Sequence, residues 1–430
     1  MAKLGEHADK AVSIKFEHLK KPGGLAKRHY RLANRAAKYV LAGLERPWPD
    51  SDAMRFGKHP KSASSVQPLR NSGHGLWGNA RAAVGLAILS KVGSYDPSLA
   101  GGASREEICR VAQAIIKYVA LSHSTQDPRF TCDVTQYRQF KEFGPEWGLS
   151  WQSPAYAAEL ALGAWLLWEH LSPDVRTVVN NILTAEVEFN LDRPTYLKMP
   201  GRCNCDPNVW TGLPNAYAVN MLPEDARCDT WGEDMFRWMF NSFGLPEDLT
   251  SNHIVDARPL KERMEYASLN EDCTMENHGF FHPQYLHIYN LLQQAALPFG
   301  LAGNPIPEVI GLHRKVIFER IKSQVSWEGH FFYSNGFDWR PFAGAQEMGA
   351  WMHMLYGDAD GAALEKKGVE SKEVSMNRFN TGAVEKDVED VESDGHNVSS
   401  LGSSAKLYLG HCLFLPEVKP TPWEEMNCAQ

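Results

Sequence analysis

The apolar positions of this chain recur at helical spacing along most of its length. In HYRLANRAAKYVLAGL (29–44), Leu32, Ala36, Tyr39, Val40 and Leu44 fall on one stripe. GLWGNARAAVGLAILSKVG (75–93) is apolar all round and rich in small residues, as a closely packed inner helix is. REEICRVAQAIIKYVALS (105–122) returns to the amphipathic period. SPAYAAELALGAWLLWEHL (153–171) and SPDVRTVVNNILTAEVEFNL (172–191) each open with Ser-Pro, which predicts an N-cap followed by proline in the first turn. Further helices are predicted over 230–242, 283–297, 306–323 and 345–356.

Strand signals are few. Asn335-Gly336 within GHFFYSNGFDW (329–339) predicts a short hairpin, and 405–415 reads as a strand or a last helix. Residues 358–400 are polar and charged and read as a solvated loop. No glycine-rich phosphate loop follows a strand, which removes Rossmann and P-loop readings. The expected fold class is all-α: an incomplete (α/α) toroid or barrel of helical hairpins, with little β structure. Residues 1–360 are assigned to it. Residues 361–430 are read as a polar loop and C-terminal tail, the remnant or the start of a β-domain.

Composition narrows the function. Of 430 residues, 43% are apolar, enough for a large core. The net charge of −8, with both signs mixed, speaks against a nucleic-acid binder. No apolar run reaches membrane-spanning length, and the first residues lack a secretory h-region. The expected location is cytoplasmic as written, or secreted or periplasmic if the N-terminus is incomplete. The eight cysteines are scattered without a CxxC pair and read as free thiols; Cys203 and Cys205 are too close for an ordinary bridge.

Candidate chemistry concentrates in NEDCTMENHGFFHPQYLHIYN (270–290), which packs histidines, acids and tyrosines into a few turns. Asn277 and His278 fall in a loop feeding a helix that starts near Pro283. His282, Tyr285 and Tyr289 share a face of that helix. CNCDPNVWTGLPNAYAVNML (203–222) sets Asn208 beside Trp210, a pairing suited to a sugar ring and its oxygens or equally to a turn with a buried indole. His74, Trp151, Trp339 and Arg340 complete the candidate binding set; Arg340 suits a carboxylate. His278 and His282 stand at i and i+4 but without the glutamate of HExxH. No cofactor is therefore expected, zinc or calcium being the alternative weighed.

The segment Asp272, Thr274, Asn277, His278, Gly279, His282, Pro283 and Tyr285 resembles the central motif of heparinase II/III-like and related α/α-toroid polysaccharide lyases, the chondroitin AC and alginate lyase-like toroids. DPNVW (206–210) and NGFDWRPF (335–342) are similar to segments flanking it in such proteins. The resemblance implies β-elimination at a uronic acid in an acidic oligo- or polysaccharide. It implies Asn208 as the group neutralising the substrate carboxylate, Asn277 being next in line. It implies His278 as base and Tyr285 as proton donor, roles that the two can exchange. His282 and Arg340 would position substrate. The alternatives are an (α/α)-barrel glycoside hydrolase using a carboxylate pair from Asp272, Glu276, Glu328 and Asp338, and a non-catalytic glycan-binding toroid.

Overall fold

The computed structural model describes residues 10–48, 51–56, 73–127, 130, 147–333, 336, 346–384, 391–414 and 418–426, without the side chains of 73–75 and 391–395. The chain is mostly helical. Its helices are α1 (Gly24–Ala42), α2 (Gly73–Lys91), α3 (Arg105–Leu121), α4 (Ser153–Leu166) and α5 (Pro173–Asn190). There follow α6 (Cys205–Met221), α7 (Cys228–Phe240), α8 (Leu260–Arg263), α9 (Pro283–His287) and α10 (Tyr289–Gln294). The last are α11 (Ala296–Ala302), α12 (Arg314–Lys322), α13 (Gln346–Tyr356), α14 (Ala359–Phe379) and α15 (Val391–Leu413). Strand structure among the described residues is three two-residue antiparallel pairs: β1 (Leu44–Glu45) with β2 (Arg55–Phe56), β3 (Ile254–Val255) with β4 (Arg258–Pro259), and β5 (Glu276–Asn277) with β6 (Phe280–Phe281).

Two kinds of helix follow from two kinds of sequence. In α4 every residue is buried, and in α6 all but Val219 are. α4 is apolar nearly all round, whereas α6 also buries the polar Asp206, Asn208, Asn215 and Asn220. The amphipathic α1, α3 and α7 bury one face and leave the other wet. α2 packs on α15, α4 and α3; α4 on α6; α6 on α11; and α11 on α15, which also lies along α1 and α13. The α2–α15 crossing is close because glycines line it. A methyl group at Gly402 would come within 2.7 Å of the Arg81 carbonyl oxygen, and one at Gly85 within 2.4 Å of Leu401.

Several sequence expectations change. α6 occupies a segment readable as a turn; Asp206-Pro207-Asn208 opens the helix, because proline is tolerated in a first turn. The stretch 283–297 is broken into short α9, α10 and α11. Ser172 precedes α5 but makes no side-chain cap bond. Ser153 lies inside α4, preceded by Gln152, and its hydroxyl bonds Glu186 while accepting from the Gly148 N–H at 2.9 Å. Helix α3 does carry a full capping box between Ser104 and Glu107.

The largest correction concerns 358–400. Much of it is helical: α14, and the start of an α15 that also takes in 405–413. Val398, Leu401, Ala405, Leu407 and Leu409 join the same core as α1 and α2. The polar tail expected over 361–430 is thus largely two helices, and its serines and glycines serve close packing. Of the expected 329–339 hairpin, residues 334–335 and 337–339 lie outside the described residues; an isolated bridge joins Val325 to Phe331.

A buried polar hub ties four of these helices together. Glu365 of α14 accepts hydrogen bonds from His29 Nε2 at 2.8 Å, His411 Nε2 at 2.7 Å and His353 Nδ1 at 2.5 Å. The Val418 N–H donates to His353 Nε2 at 3.1 Å, which fixes that ring's tautomer. Burial would raise the Glu365 pKa, but the three imidazole donors outweigh it and hold the carboxyl well below its usual range. A second buried pair, Lys406 of α15 on Glu159 of α4 at 2.5 Å, also reaches Gln294 of α10 at 2.8 Å.

No described helix is long and apolar enough to cross a membrane.

Candidate functional site

The residues of the 270–290 segment are assembled by a tight hairpin. Asn277 and Phe280 pair across β5 and β6, leaving His278 and Gly279 as the two-residue loop. Both have positive φ, 55° and 87°. That is the geometry of a primed turn, which matches strand twist and tolerates a histidine at moderate cost. The loop 199–203 braces it: Gly201 accepts from the Gly279 N–H at 2.9 Å, so close that a side chain at Gly201 would strike Gly279.

His278 is exposed at the turn, and its Nε2 lies 3.1 Å from the Tyr285 hydroxyl. Tyr285 sits in the first turn of α9 and is 7% exposed. Its hydroxyl also meets the Asn277 side chain. Burial, then the nearby Asp206 and Cys203, push the Tyr285 phenol well above its ordinary value, against the Asn277 contact. His282, fully buried, ends the hairpin and precedes α9. Its ring stands edge-on to Tyr285 with centroids 5.0 Å apart, and stacks on Phe280. Tyr289, on the same helical face in the sequence, is a core residue bonded to the Leu312 carbonyl.

An aromatic wall extends from the start of α6. Trp210 is one turn beyond Asp206; Trp151 lies 5.3 Å from it and Trp77 6.1 Å, centroid to centroid. The Arg81 guanidinium covers Trp77 at 4.0 Å. Trp77 and Trp151 are half-buried, and the indole N–H groups of Trp77 and Trp210 make no hydrogen bond among the described residues. Donors of this kind suit a polar ligand against an aromatic face.

Asn208 does not join this site. It is fully buried, and its Nδ2 donates to the carbonyls of Tyr196 at 3.1 Å and Asn241 at 2.7 Å and touches the Tyr266 hydroxyl. Its Oδ1 accepts from the Tyr196 N–H at 2.9 Å. With every amide group engaged, Asn208 ties the 191–204 loop to α6 and α7 and has nothing left for a substrate carboxylate. Trp339 and Arg340 lie outside the described residues, as does the His74 side chain at the start of α2. The carboxylates weighed for hydrolysis do not form a pair among the described residues: Asp272 is exposed and bonds Thr274, while Glu276 and Glu328 are exposed, and Asp338 is outside.

The residue that the sequence reading passed over is Asp206. It is 7% exposed, and burial raises its carboxyl to about 7. Cys203 and Cys205, both fully buried, come just before it in the chain, with sulfurs 3.4 Å apart. The C-x-C-D spacing was the available signal.

His287, two residues after Tyr285, gives a measurable consequence. It is fully buried, and burial lowers its pKa from 6.5 to about 4 against a weaker pull from Glu347. The fold favours the neutral ring. That contribution is complete above pH 6.5 and is lost as the pH falls toward 4, at most roughly 3 kcal/mol. His287→Asn should flatten the denaturant-measured stability profile by about that amount between these pH values.

A separate cavity of about 960 Å³ opens beside Asp248, His253, Glu308, His313, Arg314 and Tyr356. None of the residues expected from the sequence lines it, and the His313–Asp248 pair at 2.7 Å occupies its wall. Comparisons with protein-family models, with characterised proteins and with solved structures return no match for this chain.

Proposed function

We propose that this chain is a carbohydrate-active enzyme that cleaves a uronic-acid-containing glycan by β-elimination. The single observation that carries the reading is the 3.1 Å contact between His278 Nε2 and the Tyr285 hydroxyl, one group exposed and the other nearly buried. An imidazole and a phenol in hydrogen-bond reach can remove a C5 proton and deliver one to the leaving O4. The half-buried Trp77 and Trp151, ranged against Trp210 of α6, offer platforms for sugar rings.

With Asn208 engaged elsewhere, neutralisation of the substrate carboxylate falls to Asn277, whose amide already touches the Tyr285 phenol. His282 holds the Tyr285 ring. The helix neighbours also favour the toroid: α2, α4, α6, α11 and α15 pack in that order and α15 returns to α2, as in a closed inner ring.

The test is incubation with a panel of uronate glycans, followed both by ultraviolet absorbance and by release of reducing ends. Elimination leaves a conjugated C4=C5 bond, so both signals rise together. Reducing ends without absorbance would move the chain to the glycoside hydrolases. Binding without either signal would make it a glycan-binding protein.

A further inference from the structure

We propose that Cys203, Cys205 and Asp206 form a site for one divalent cation of the zinc class, beneath the His278–Tyr285 pair. One sulfur from each cysteine and one Asp206 carboxylate oxygen lie within 4.8 Å of one another, and all three residues are buried. The sulfurs are 3.4 Å apart. Ligand atoms around a tetrahedral zinc, at bond lengths of about 2.1 Å for oxygen and 2.3 Å for sulfur, stand roughly 3.4 to 3.8 Å apart. The sulfur pair is already close to that spacing, and the carboxylate oxygen, within 4.8 Å of both, would move in to complete the set.

The backbone aims the set. Asn204, between the two cysteines, is held at φ 54° and ψ 27°, and its side chain is anchored on the Leu197 carbonyl at 2.6 Å. That left-handed residue turns both thiols to one side, and Asp206 follows in the first turn of α6. A third sulfur, Met275 Sδ, lies 3.7 Å from Cys205 Sγ.

Charge supplies the second argument. Each of the three groups becomes anionic on losing its proton, and the phenols of Tyr266 and Tyr285 stand within electrostatic reach. Buried acids are retained when paired or when they hold a metal. Thiolates select zinc-like ions over magnesium or calcium. Binding expels the protons of both thiols, and of Asp206 where it carries one, leaving a site of net charge −1 after the two charges of the ion.

The other compact ligand set, His29, His411 and Glu365, is explained without an ion. Its imidazoles already donate to the carboxylate, and the Nδ1 of His29 has no acceptor among the described residues to orient a metal-bound ring. An ion at the cysteine site would also reverse the field that Asp206 and the thiols exert on Tyr285.

The test uses the whole chain, freed of metal under reducing conditions and titrated with Co²⁺. A thiolate-to-cobalt charge-transfer band should grow and saturate at one equivalent. Zinc should abolish it. Cys203→Ser and Cys205→Ser should each remove or displace it, whereas Cys109→Ser should leave it unchanged. Should a serine variant fail to fold, alkylation of the parent chain decides instead: zinc should protect Cys203 and Cys205 specifically. Absence of the band, its survival in both serine variants, or alkylation indifferent to zinc would each overturn the site. The readout uses no glycan, so its failure is distinct from failure of the lyase reading.

Discussion

Glu365→Ala is expected to destabilise the fold by about 3–5 kcal/mol, the range for breaking a buried ionic or charge-assisted group by removing one partner. The substitution leaves three buried imidazoles without their acceptor. His353 cannot re-pair by changing tautomer, because the Val418 N–H already uses its other nitrogen. Glu365→Gln keeps one accepting oxygen but turns the other position into a donor facing an imidazole N–H, so an intermediate loss is expected. Denaturant unfolding followed by circular dichroism measures both. A loss below about 1 kcal/mol for the alanine variant would show that the hub is not a principal fastening, since ordinary surface substitutions stay near that level. The sign with acid is fixed too. The Glu365 pKa is lowered on folding, so its contribution is present above the unfolded carboxyl value and lost as pH falls through the folded one. His29, lowered chiefly by burial, acts in the same direction.

Tyr285→Phe and His278→Ala are each expected to reduce kcat by ~10²-fold or more on a cleavable uronate glycan, the usual worth of a positioned proton donor or acceptor. Tyr285→Phe keeps the ring that packs on His282 and loses only the hydroxyl and its Asn277 contact, so the variant should stay folded with a stability loss of at most about 1–3 kcal/mol. His278 is exposed and in a turn, so its loss should also spare stability. Asn208→Ala gives the contrasting pattern: it strands backbone groups of the 191–204 loop, and its effect should appear in stability first, by about 1–3 kcal/mol. If Tyr285→Phe retained full turnover, the pair would have no part in the chemistry, whatever the substrate.

How far the sequence revealed this molecule depended on what each segment had to bury. Helices with one wet face, such as α1 and α3, announce themselves through period. α2 and α4 announce themselves differently, by long runs of apolar and small residues. α15 hides because Ser399, Ser400, Gly402, Ser403 and Ser404 are weak helix formers. They are there for the approach to α2, a tertiary demand invisible locally. α6 hides behind Asp-Pro-Asn, turn chemistry that also starts helices. At the site, clustering of His278, His282 and Tyr285 along 270–290 was legible because they are near in sequence. Asn208 misled because an amide beside a tryptophan looks alike whether it faces sugar or backbone. Asp206 was passed over because a carboxyl's burial depends on elements 60 or more residues away, here α9.

The hub that joins His29 to Glu365 spans 336 residues of chain. On the ribosome, α1 and α2 therefore emerge long before α14 and α15 exist to cover them. Their apolar faces must stay clear of other nascent chains while the intervening residues are made, a wait in which holding chaperones have their greatest purchase. Closure of this core therefore waits for α15, the helix that packs on both of them.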